Sequence, residues 1–316
     1  MNTQNILPDN DAGTVALEPI ITKARTEKEM RKARFINKLK QPKWLFWALF
    51  KYLTLVLASV AVLVPPFAVL LASFKTSKEY YSTSKVALPE SFFNFDNYIK
   101  VFADGDLGLA FTNTGTILLI SLFFTVLFGT QVAYVLSRFE FKGKKLVLLA
   151  YVIAMVVPAV TTQVATFEVI KALGLINNKG SVIMLYIGAD VVMIYIFLQF
   201  MKGVPLELDE AAKIEGASYF LIYRKIMLPL LKPAIATVII LRTIFIYNDF
   251  YFPLLYLPEK SQVTVSTALY KFTSVFGTEW TTISAGIIII LIPSIVLFLV
   301  LQKQIYAGVT NGAVKG

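Results

Sequence analysis

Residues 203–233, GVPLELDEAAKIEGASYFLIYRKIMLPLLKP, form a polar insert between two segments that are apolar enough to cross a bilayer. Those flanking segments are residues 181–201 and 234–257. A crossing needs about 20 apolar residues, because the hydrocarbon core is about 30 Å thick and a helix rises about 1.5 Å per residue. The insert is therefore predicted to lie at the membrane surface, either as a docking site for another protein or as an amphipathic interfacial hairpin.

The composition is that of an integral membrane protein. Of 316 residues, 57% are hydrophobic and 16% are charged, whereas soluble proteins have about 45–50% and 25%. The long apolar runs are continuous rather than alternating, which favours helices. The sequence therefore predicts an all-α membrane protein with six transmembrane helices and a cytoplasmic helix-turn-helix loop. The predicted crossings are residues 51–74, 111–136, 146–167, 181–201, 234–257 and 282–301.

The distribution of Lys and Arg orients these crossings. If the N-terminus is cytoplasmic, 21 of the 30 basic residues fall in cytoplasmic segments and 8 fall outside, with Arg242 inside a crossing. Cytoplasmic loops carry the excess of positive charge. Both termini and residues 203–233 are therefore predicted to be cytoplasmic. Residues 75–110 become an extracytoplasmic segment with an amphipathic element on the membrane surface, which either braces the bundle or docks a solute-binding protein.

The basic tail, residues 1–43, contributes much of the net charge of +10. Its place before a crossing favours attraction to anionic membrane lipid, at about 1 kcal/mol per basic residue, over binding to nucleic acid. The chain has no Cys and no His, which removes thiolate nucleophiles and the commonest base and metal ligand. It also lacks a GxxxxGK[ST] phosphate-binding loop. We therefore expect no catalytic residue, no metal site and no cofactor in this chain.

Within the insert, the residue pattern predicts two short helices joined by a tight turn. Pro205 suits a first helical turn, and the three acidic residues that follow it favour the positive end of the helix dipole. Gly216 falls where a helix ends in the left-handed conformation, and Ser218 is placed to cap the next helix. Pro229 and Pro233 mark the far end of that second helix.

The insert resembles the EAA signature of permease subunits of binding-protein-dependent ABC importers. The matching residues are Glu210, Ala211, Ala212, Gly216, Ala217, Ile226, Leu228 and Pro229. Glu215 stands where many members have Asp, which keeps the charge. In that family the loop seats in a cleft of cytoplasmic ATPase subunits and transmits their closure to the membrane helices. The resemblance covers residues 44–316 in the number and order of crossings, and it implies an ATPase-coupling role for these nine residues.

Two further segments resemble sugar permeases of the maltose type. Residues 247–257, YNDFYFPLLYL, are similar to a motif near the outer end of the fifth crossing, and residues 308–316, GVTNGAVKG, are similar to the terminal tail of that group. The resemblance implies the six-span partner in a heterodimer with a second permease subunit, and a homodimer stays open. It also implies two ABC ATPase subunits that hold ATP and Mg²⁺, an extracytoplasmic solute-binding protein, and a bacterial or archaeal inner membrane.

A sugar route needs hydrogen-bonding groups and aromatic faces, because unpaired polar groups are costly in hydrocarbon. The candidates for the translocation path are Gln131, Thr161, Thr162, Gln163, Tyr247, Asn248 and Asp249. For the Thr and Gln residues, the alternative is a helix–helix hydrogen bond, which membrane bundles use routinely. Asn248 and Asp249, followed by a kinking Pro253, predict a broken helix beside the path. Asp249 then either contacts solute or braces the break.

Two opposite charges occur within consecutive predicted crossings. Asp190 is 11 residues from Met201 and Arg242 is 10 residues from Lys232, so both lie about 15–17 Å from the cytoplasmic ends. Either charge alone costs at least about 2.5 kcal/mol at mid-membrane. We therefore predict that they form an ion pair or share a polar network that ties the two crossings. The alternative places Arg242 on carbonyl groups or water and pairs Asp190 elsewhere.

These observations predict a permease subunit of an ATP-driven ABC importer for a carbohydrate, with an oligosaccharide as the favoured solute. An ABC importer for another solute, such as glycerol phosphate or a polyamine, is the nearest alternative. A secondary transporter is disfavoured, because the sequence shows no inverted repeat. The C-terminal residues 311–316 are predicted to contact the ATPase subunits, the alternative being a frayed terminus.

Overall fold

The computed structural model of the chain describes residues 42–187, 191–274 and 277–313. The predicted basic tail lies almost wholly outside these ranges. The α-helices are α1 (Pro42–Ser73), α2 (Ser77–Ser82), α3 (Asp96–Gly105), α4 (Leu107–Arg138), α5 (Lys144–Val156), α6 (Gln163–Ala172), α7 (Lys179–Ile187), α8 (Val191–Lys202), α9 (Glu207–Ile214), α10 (Tyr219–Ile222), α11 (Leu228–Leu230), α12 (Lys232–Asn248), α13 (Tyr251–Tyr256) and α14 (Trp280–Ala313). A π-helical turn, Tyr223–Met227, and the 3-10 turns Ala159–Thr162, Lys260–Gln262 and Ala268–Phe272 lie between them.

The predicted all-helical architecture is confirmed over the described residues, apart from one small antiparallel ladder. That ladder pairs β1 (Thr273–Ser274) with β2 (Gly277–Thr278), and Thr273 lies opposite Thr278. Two-residue strands of this kind close a loop and contribute no sheet layer.

Three helices of the described chain are long and apolar enough to cross a membrane. They are Leu49–Ser73 within α1, Leu107–Arg138, and Trp280–Val300 within α14. Two bent pairs, α7 with α8 and Tyr219–Leu230 with α12, pass the same test when each pair is taken as one span. The described helices therefore account for up to five crossings, and the count of six stays a prediction.

The remaining predicted crossing, residues 146–167, is interrupted near its middle. α5 ends at Val156, and Val157 is extended, with φ −71° and ψ 117°. Proline disfavours the helical conformation of the residue before it and has no N–H to donate, so Pro158 ends the helix. The chain continues in a 3-10 turn and α6. Continuous hydropathy over this stretch thus corresponds to two helices and a turn.

The predicted break in the fifth crossing is present, but Pro253 is not its cause. α12 ends at Asn248, and Asp249 is extended, with ψ 115°. Pro253 is the third residue of α13. The first N–H groups of a helix have no carbonyl partner within it, so a proline there costs no helical hydrogen bond. The proline therefore helps to start the helix after the break.

α4 is a central helix of the compact unit formed by residues 68–316. It packs against α7, α8 and α12. The approach to α8 is close at Gly129, where an added Cβ would lie 2.9 Å from Cε2 of Phe197. Because packed interiors leave no room for such an overlap, any larger residue at this position would displace the Phe197 ring.

Residues 42–67, the described part of the other unit, are grouped apart from residues 68–316. Within it, every side chain from Leu49 to Phe67 is exposed. An apolar helix exposed on all sides is suited to a hydrocarbon environment.

Candidate functional site

The first half of the insert is α9, which ends in a Schellman motif. The N–H of Gly216 donates to the carbonyl of Lys213 and the N–H of Ala217 donates to the carbonyl of Ala212, both at 2.9 Å. Gly216 has a φ of +82°, in the left-handed region that suits glycine. The predicted helix end at Gly216 is therefore confirmed. Pro205, which was predicted within the first turn, instead lies just before the helix.

A buried ion pair fixes α9 to the end of α4. Nε of Arg138 lies 3.0 Å from Oδ2 of Asp209, and the two side chains are only 8% and 7% exposed. The Arg138 guanidinium also donates to the carbonyl of Val204 at 2.9 Å, and the Tyr134 hydroxyl donates to Asp209 at 3.5 Å. Removal of either partner would leave an uncompensated buried charge. The ion pair and these hydrogen bonds therefore hold α9 against the end of α4.

The second half of the insert begins at Ser218, whose Oγ accepts a hydrogen bond from the N–H of Leu221 at 3.3 Å. The predicted cap is therefore present. The π-helical turn follows before Pro229, which has no N–H and would crowd the carbonyl four residues earlier in a regular helix. Within that turn Tyr223 is buried, and its hydroxyl hydrogen bonds with that of Thr130 in α4 at 2.8 Å. Both halves of the insert are thus tied to α4.

The nine predicted coupling residues divide between the surface and the core of the insert. Glu210, Ala211, Glu215, Gly216 and Pro229 are exposed, Ala217, Ile226 and Leu228 are partly buried, and Ala212 is buried. Ala212 belongs to a core that includes side chains of α4, α8 and α12. Four of the exposed members lie in α9 or in the turn after it, where Ile214 is 87% exposed, and Pro229 lies in α11.

A cavity of about 350 Å³ lies between α12 and α14. Its polar lining consists of Thr243, Tyr247, Asn248 and Ser294, and the rest is apolar. The Tyr247 hydroxyl donates to the carbonyl of Ile290 at 2.9 Å. Two of the seven predicted path residues, Tyr247 and Asn248, therefore line one cavity.

Asp249 braces the break between α12 and α13. Its Oδ2 accepts a hydrogen bond from the Tyr186 hydroxyl at 2.9 Å. Its Oδ1 accepts from the N–H groups of Tyr251 and Phe252 at 2.9 and 3.3 Å, and its carbonyl accepts from Oγ of Ser266 at 2.6 Å. These contacts favour the bracing interpretation of Asp249 over contact with solute.

The other four path candidates are not among the residues that line this cavity. Thr161 and Thr162 are exposed in the 3-10 turn, Gln163 is half-buried at the start of α6, and Gln131 is exposed on α4. The Thr161 hydroxyl donates to the carbonyl of Pro158 at 2.7 Å, so it serves the local turn. A role for these four residues in the path stays a prediction.

Arg242 is buried within α12 and donates to the backbone carbonyl of Tyr186 in α7. Its guanidinium also lies 5.2 Å from the centre of the Phe245 ring. Because α7 belongs to the fourth predicted crossing and α12 to the fifth, Arg242 ties these two segments together. Asp190, its predicted partner, lies outside the described residues, so the ion pair stays a prediction.

Arg138 is a residue whose role the sequence did not reveal, and Asp209 was assigned only to the dipole of α9. The signal available was weak: both residues were predicted on the same side of the membrane, and they carry opposite charges. Which acidic residue of the insert would meet Arg138 depends on tertiary packing.

The family comparison matches the segment that contains this geometry. The family described as binding-protein-dependent transport system inner membrane component matches residues 125–311, which include α8, the insert and α12. The chain belongs to this family. As a member of it, the protein is a multi-pass inner-membrane component with apolar helices.

Several relatives in this family are similar over most of their length. The arabinooligosaccharides transport system permease protein AraQ of Bacillus subtilis is 31% identical over 82% of this chain and 92% of its own. The galactooligosaccharides transport system permease protein GanQ of the same organism is 34% identical over 85% and 95%. The trehalose transport system permease protein SugB of Mycobacterium tuberculosis is 36% identical over 70% and 82%.

A solved structure shows the same fold. It is the crystal structure of a bacterial ABC transporter involved in the import of the acidic polysaccharide alginate. The TM-score is 0.75 at 20% sequence identity, over 83% of this chain and 98% of that one.

Proposed function

We propose that this chain is the permease subunit of an ATP-driven ABC importer that translocates a carbohydrate delivered by an extracytoplasmic solute-binding protein. The names of the relatives that describe arabinooligosaccharide, galactooligosaccharide and trehalose transport support a carbohydrate solute. An oligosaccharide is the favoured class. ATP and Mg²⁺ are held by two partner ATPase subunits, so this chain supplies the route and the coupling surface.

The geometry of the insert supports its proposed role in coupling the ATPase subunits to the membrane helices. α9 is fixed to α4 by the pair of Asp209 and Arg138, and the following π turn is fixed to the same helix by Tyr223 and Thr130. A partner that pushes on the exposed side of the insert therefore acts on α4 through two contacts. The exposed Ala211 permits a close approach by that partner, because its side chain is only a methyl group.

The charge distribution and the resemblance to the family support the proposed topology. Residues 44–316 form the transmembrane domain with six crossings, both termini and residues 203–233 are cytoplasmic, and residues 75–110 are extracytoplasmic. Residues 1–43 lie against anionic lipid. A second permease subunit completes the route, as a heterodimer.

The cavity between α12 and α14 supports a route for a hydroxylated solute. It offers the hydroxyls of Thr243 and Ser294 and the side-chain carbonyl of Asn248, whose Nδ2 donates to the carbonyl of Ile244 at 2.8 Å, within an otherwise apolar wall. It also lies next to the break that Asp249 braces. Hydroxyl and amide groups exchange hydrogen bonds with sugar hydroxyls, and the ring of Tyr247 can cover an apolar sugar face.

The test is uptake by the purified importer, reconstituted with its partner subunits in vesicles that hold ATP and with its solute-binding protein outside. Labelled oligosaccharides, glycerol phosphate and a polyamine are compared. We expect uptake of an oligosaccharide that requires both ATP and the binding protein. Uptake driven by an ion gradient without ATP would contradict the ABC mechanism, and transport of only the polyamine or glycerol phosphate would contradict the carbohydrate assignment.

A further inference from the structure

The helix α3 buries one face on the protein core. Val101 is fully buried, Gly105 is buried, and Tyr98 is partly buried against the same cluster. That cluster includes Ile283 and Ala285 of α14. This face fixes the orientation of α3 on the bundle.

The rest of α3 carries two further faces of opposite character. The apolar one consists of the N-cap residue Phe95 with Ile99 and Phe102, which are 49%, 65% and 54% exposed. The charged one consists of Asp96, Lys100 and Asp104, all exposed. Successive helical residues are about 100° apart. The exposed apolar face therefore lies on one side of the core face, and the charged face lies on the other side. The helix thus has a protein face, an exposed apolar face and a charged face.

Two contacts place α3 where membrane-length helices end. Nδ2 of Asn97 donates to the carbonyl of Ser73, the last residue of α1, at 2.9 Å. Nζ of Lys100 lies 2.7 Å from Oε2 of Glu279, and Glu279 immediately precedes α14. α3 is therefore held beside the ends of two helices that are long and apolar enough to cross a membrane.

Aromatic rings surround the same point. The Phe74 ring lies 5.8 Å from that of Phe92, 5.9 Å from that of Phe95 and 5.5 Å from that of Tyr98. The adjacent Phe93 is 87% exposed. Amphipathic helices lie in the membrane interface with their apolar face, often Trp, Phe or Leu, in the headgroup–acyl boundary. Tyrosine, which this cluster contains as Tyr98, is enriched at this level.

We propose that α3 is an interfacial anchor, with Phe95, Ile99 and Phe102 immersed in the lipid headgroup–acyl boundary and its charged face in water. The occupant of the apolar face is lipid rather than a soluble protein, because the face continues the aromatic cluster at the end of α1. A soluble partner would be expected to contact polar and charged side chains as well, but the charged residues Asp96, Lys100 and Asp104 lie on a different face of α3. This inference does not depend on which solute is carried.

The chain contains no Cys, so single cysteines can be spin-labelled without background from this subunit. The variants are Phe95→Cys, Ile99→Cys and Phe102→Cys, with Asp96→Cys and Asp104→Cys as matched controls on the charged face. Each is studied in the assembled importer, with partner cysteines replaced, in vesicles of phosphatidylethanolamine and phosphatidylglycerol. Collision rates with oxygen, which partitions into lipid, and with a water-soluble nickel chelate are measured by electron paramagnetic resonance.

We expect a ratio of oxygen to nickel collisions that is several-fold higher at the three apolar positions than at the two controls, and that is unchanged when the solute-binding protein is added. A higher nickel rate at the apolar positions would overturn the proposal, since that face would then be in water. Protection of those positions from both reagents would also overturn it. If that protection appeared only with the solute-binding protein, the face would be a protein-docking surface.

Discussion

Arg138, the last residue of α4, and Asp209, in the first turn of α9, form a nearly buried ion pair with 3.0 Å between Nε and Oδ2. The pair joins a membrane-length helix directly to the insert. Because the Arg138 guanidinium also holds the carbonyl of Val204, the segment that leads into α9 is fixed at the same point. Motion of α9 is therefore expected to pass to α4 through these groups.

Breaking this pair should destabilise the importer and uncouple it. We expect Arg138→Met or Asp209→Asn to cost about 3 kcal/mol, because each leaves a buried group without its partner. Lys144→Met is the control, since Lys144 pairs at 2.7 Å with Glu140, whose side chain is 89% exposed, and an i,i+4 pair with an exposed carboxylate contributes about 0.5 kcal/mol. Thermal unfolding of the purified complex measures the effect. Equal losses in Arg138→Met and Lys144→Met would show that the buried pair has no special role.

The contact between Lys100 and Glu279 should give a small pH dependence. The Lys100 hydrogen bond lowers the pKa of the Glu279 carboxyl, against an opposing effect of partial burial. The stabilisation is therefore present above the unfolded-state pKa, about 4.3, and is lost as the pH falls through the lowered folded-state pKa. Both side chains are 44% exposed, so we expect less than about 1 kcal/mol.

The variant Lys100→Met tests this relationship. It should be less stable than wild type at neutral pH, and the difference should vanish once Glu279 is protonated in both proteins. Lys271→Met, which removes the separate contact with Asp106, serves as control and should leave the Glu279 titration unchanged. A Lys100→Met deficit that stays constant at all pH values would contradict the assignment to this carboxylate.

The predicted pairing of Asp190 with Arg242 calls for a double-mutant cycle. Asp190→Asn and Arg242→Gln should each reduce transport, because each leaves one charge in the bundle at a cost of about 2.5 kcal/mol or more. The double variant should recover much of the loss. Additive losses would instead indicate that Arg242 depends on contacts such as the Tyr186 carbonyl.

The C-terminal residues offer a test of ATPase contact. α14 continues to Ala313, so residues 311–313 end this helix, and residues 314–316 lie outside the described chain. Deletion of residues 311–316 should weaken the coupling of ATP hydrolysis to uptake if the end of the chain contacts the ATPase subunits. Unchanged uptake, together with equal protease sensitivity of this end in the free and assembled subunit, would support a frayed terminus.

Local features of the insert could be predicted from the sequence because they depend on single residues. Gly216 occupies a left-handed turn that glycine suits, and Ser218 supplies the oxygen that an N-cap needs. Residues 146–167 gave two conflicting signals. Their hydropathy predicted one crossing, whereas Pro158, which has no N–H to donate, interrupts the helix there. Hydropathy alone does not register this effect of proline.

Other features depended on contacts between distant segments. The break after Asn248 was predicted from polar residues and Pro253, but it is held by hydrogen bonds from Tyr186, Tyr251 and Phe252 to the Asp249 carboxylate. The first of these partners is far away in sequence. No local pattern identifies it, and the same is true of Arg138 and Asp209.

The central claim is that the insert couples ATP hydrolysis to transport, and Gly216→Val compared with Gly143→Val tests it most directly. Both glycines have positive φ, +82° and +94°, and both have open space around an added Cβ. The substitutions therefore impose the same kind of local strain, about 1–3 kcal/mol, but Gly143 lies in another loop, at the start of α5.

The measurement is the number of solute molecules taken up per ATP hydrolysed by the reconstituted importer. We predict that Gly216→Val lowers this ratio severalfold with the subunits still assembled, because the strained turn would misplace the two short helices of the insert. Gly143→Val should stay near wild type. A wild-type ratio in Gly216→Val, or an equal fall in both variants, would contradict the account.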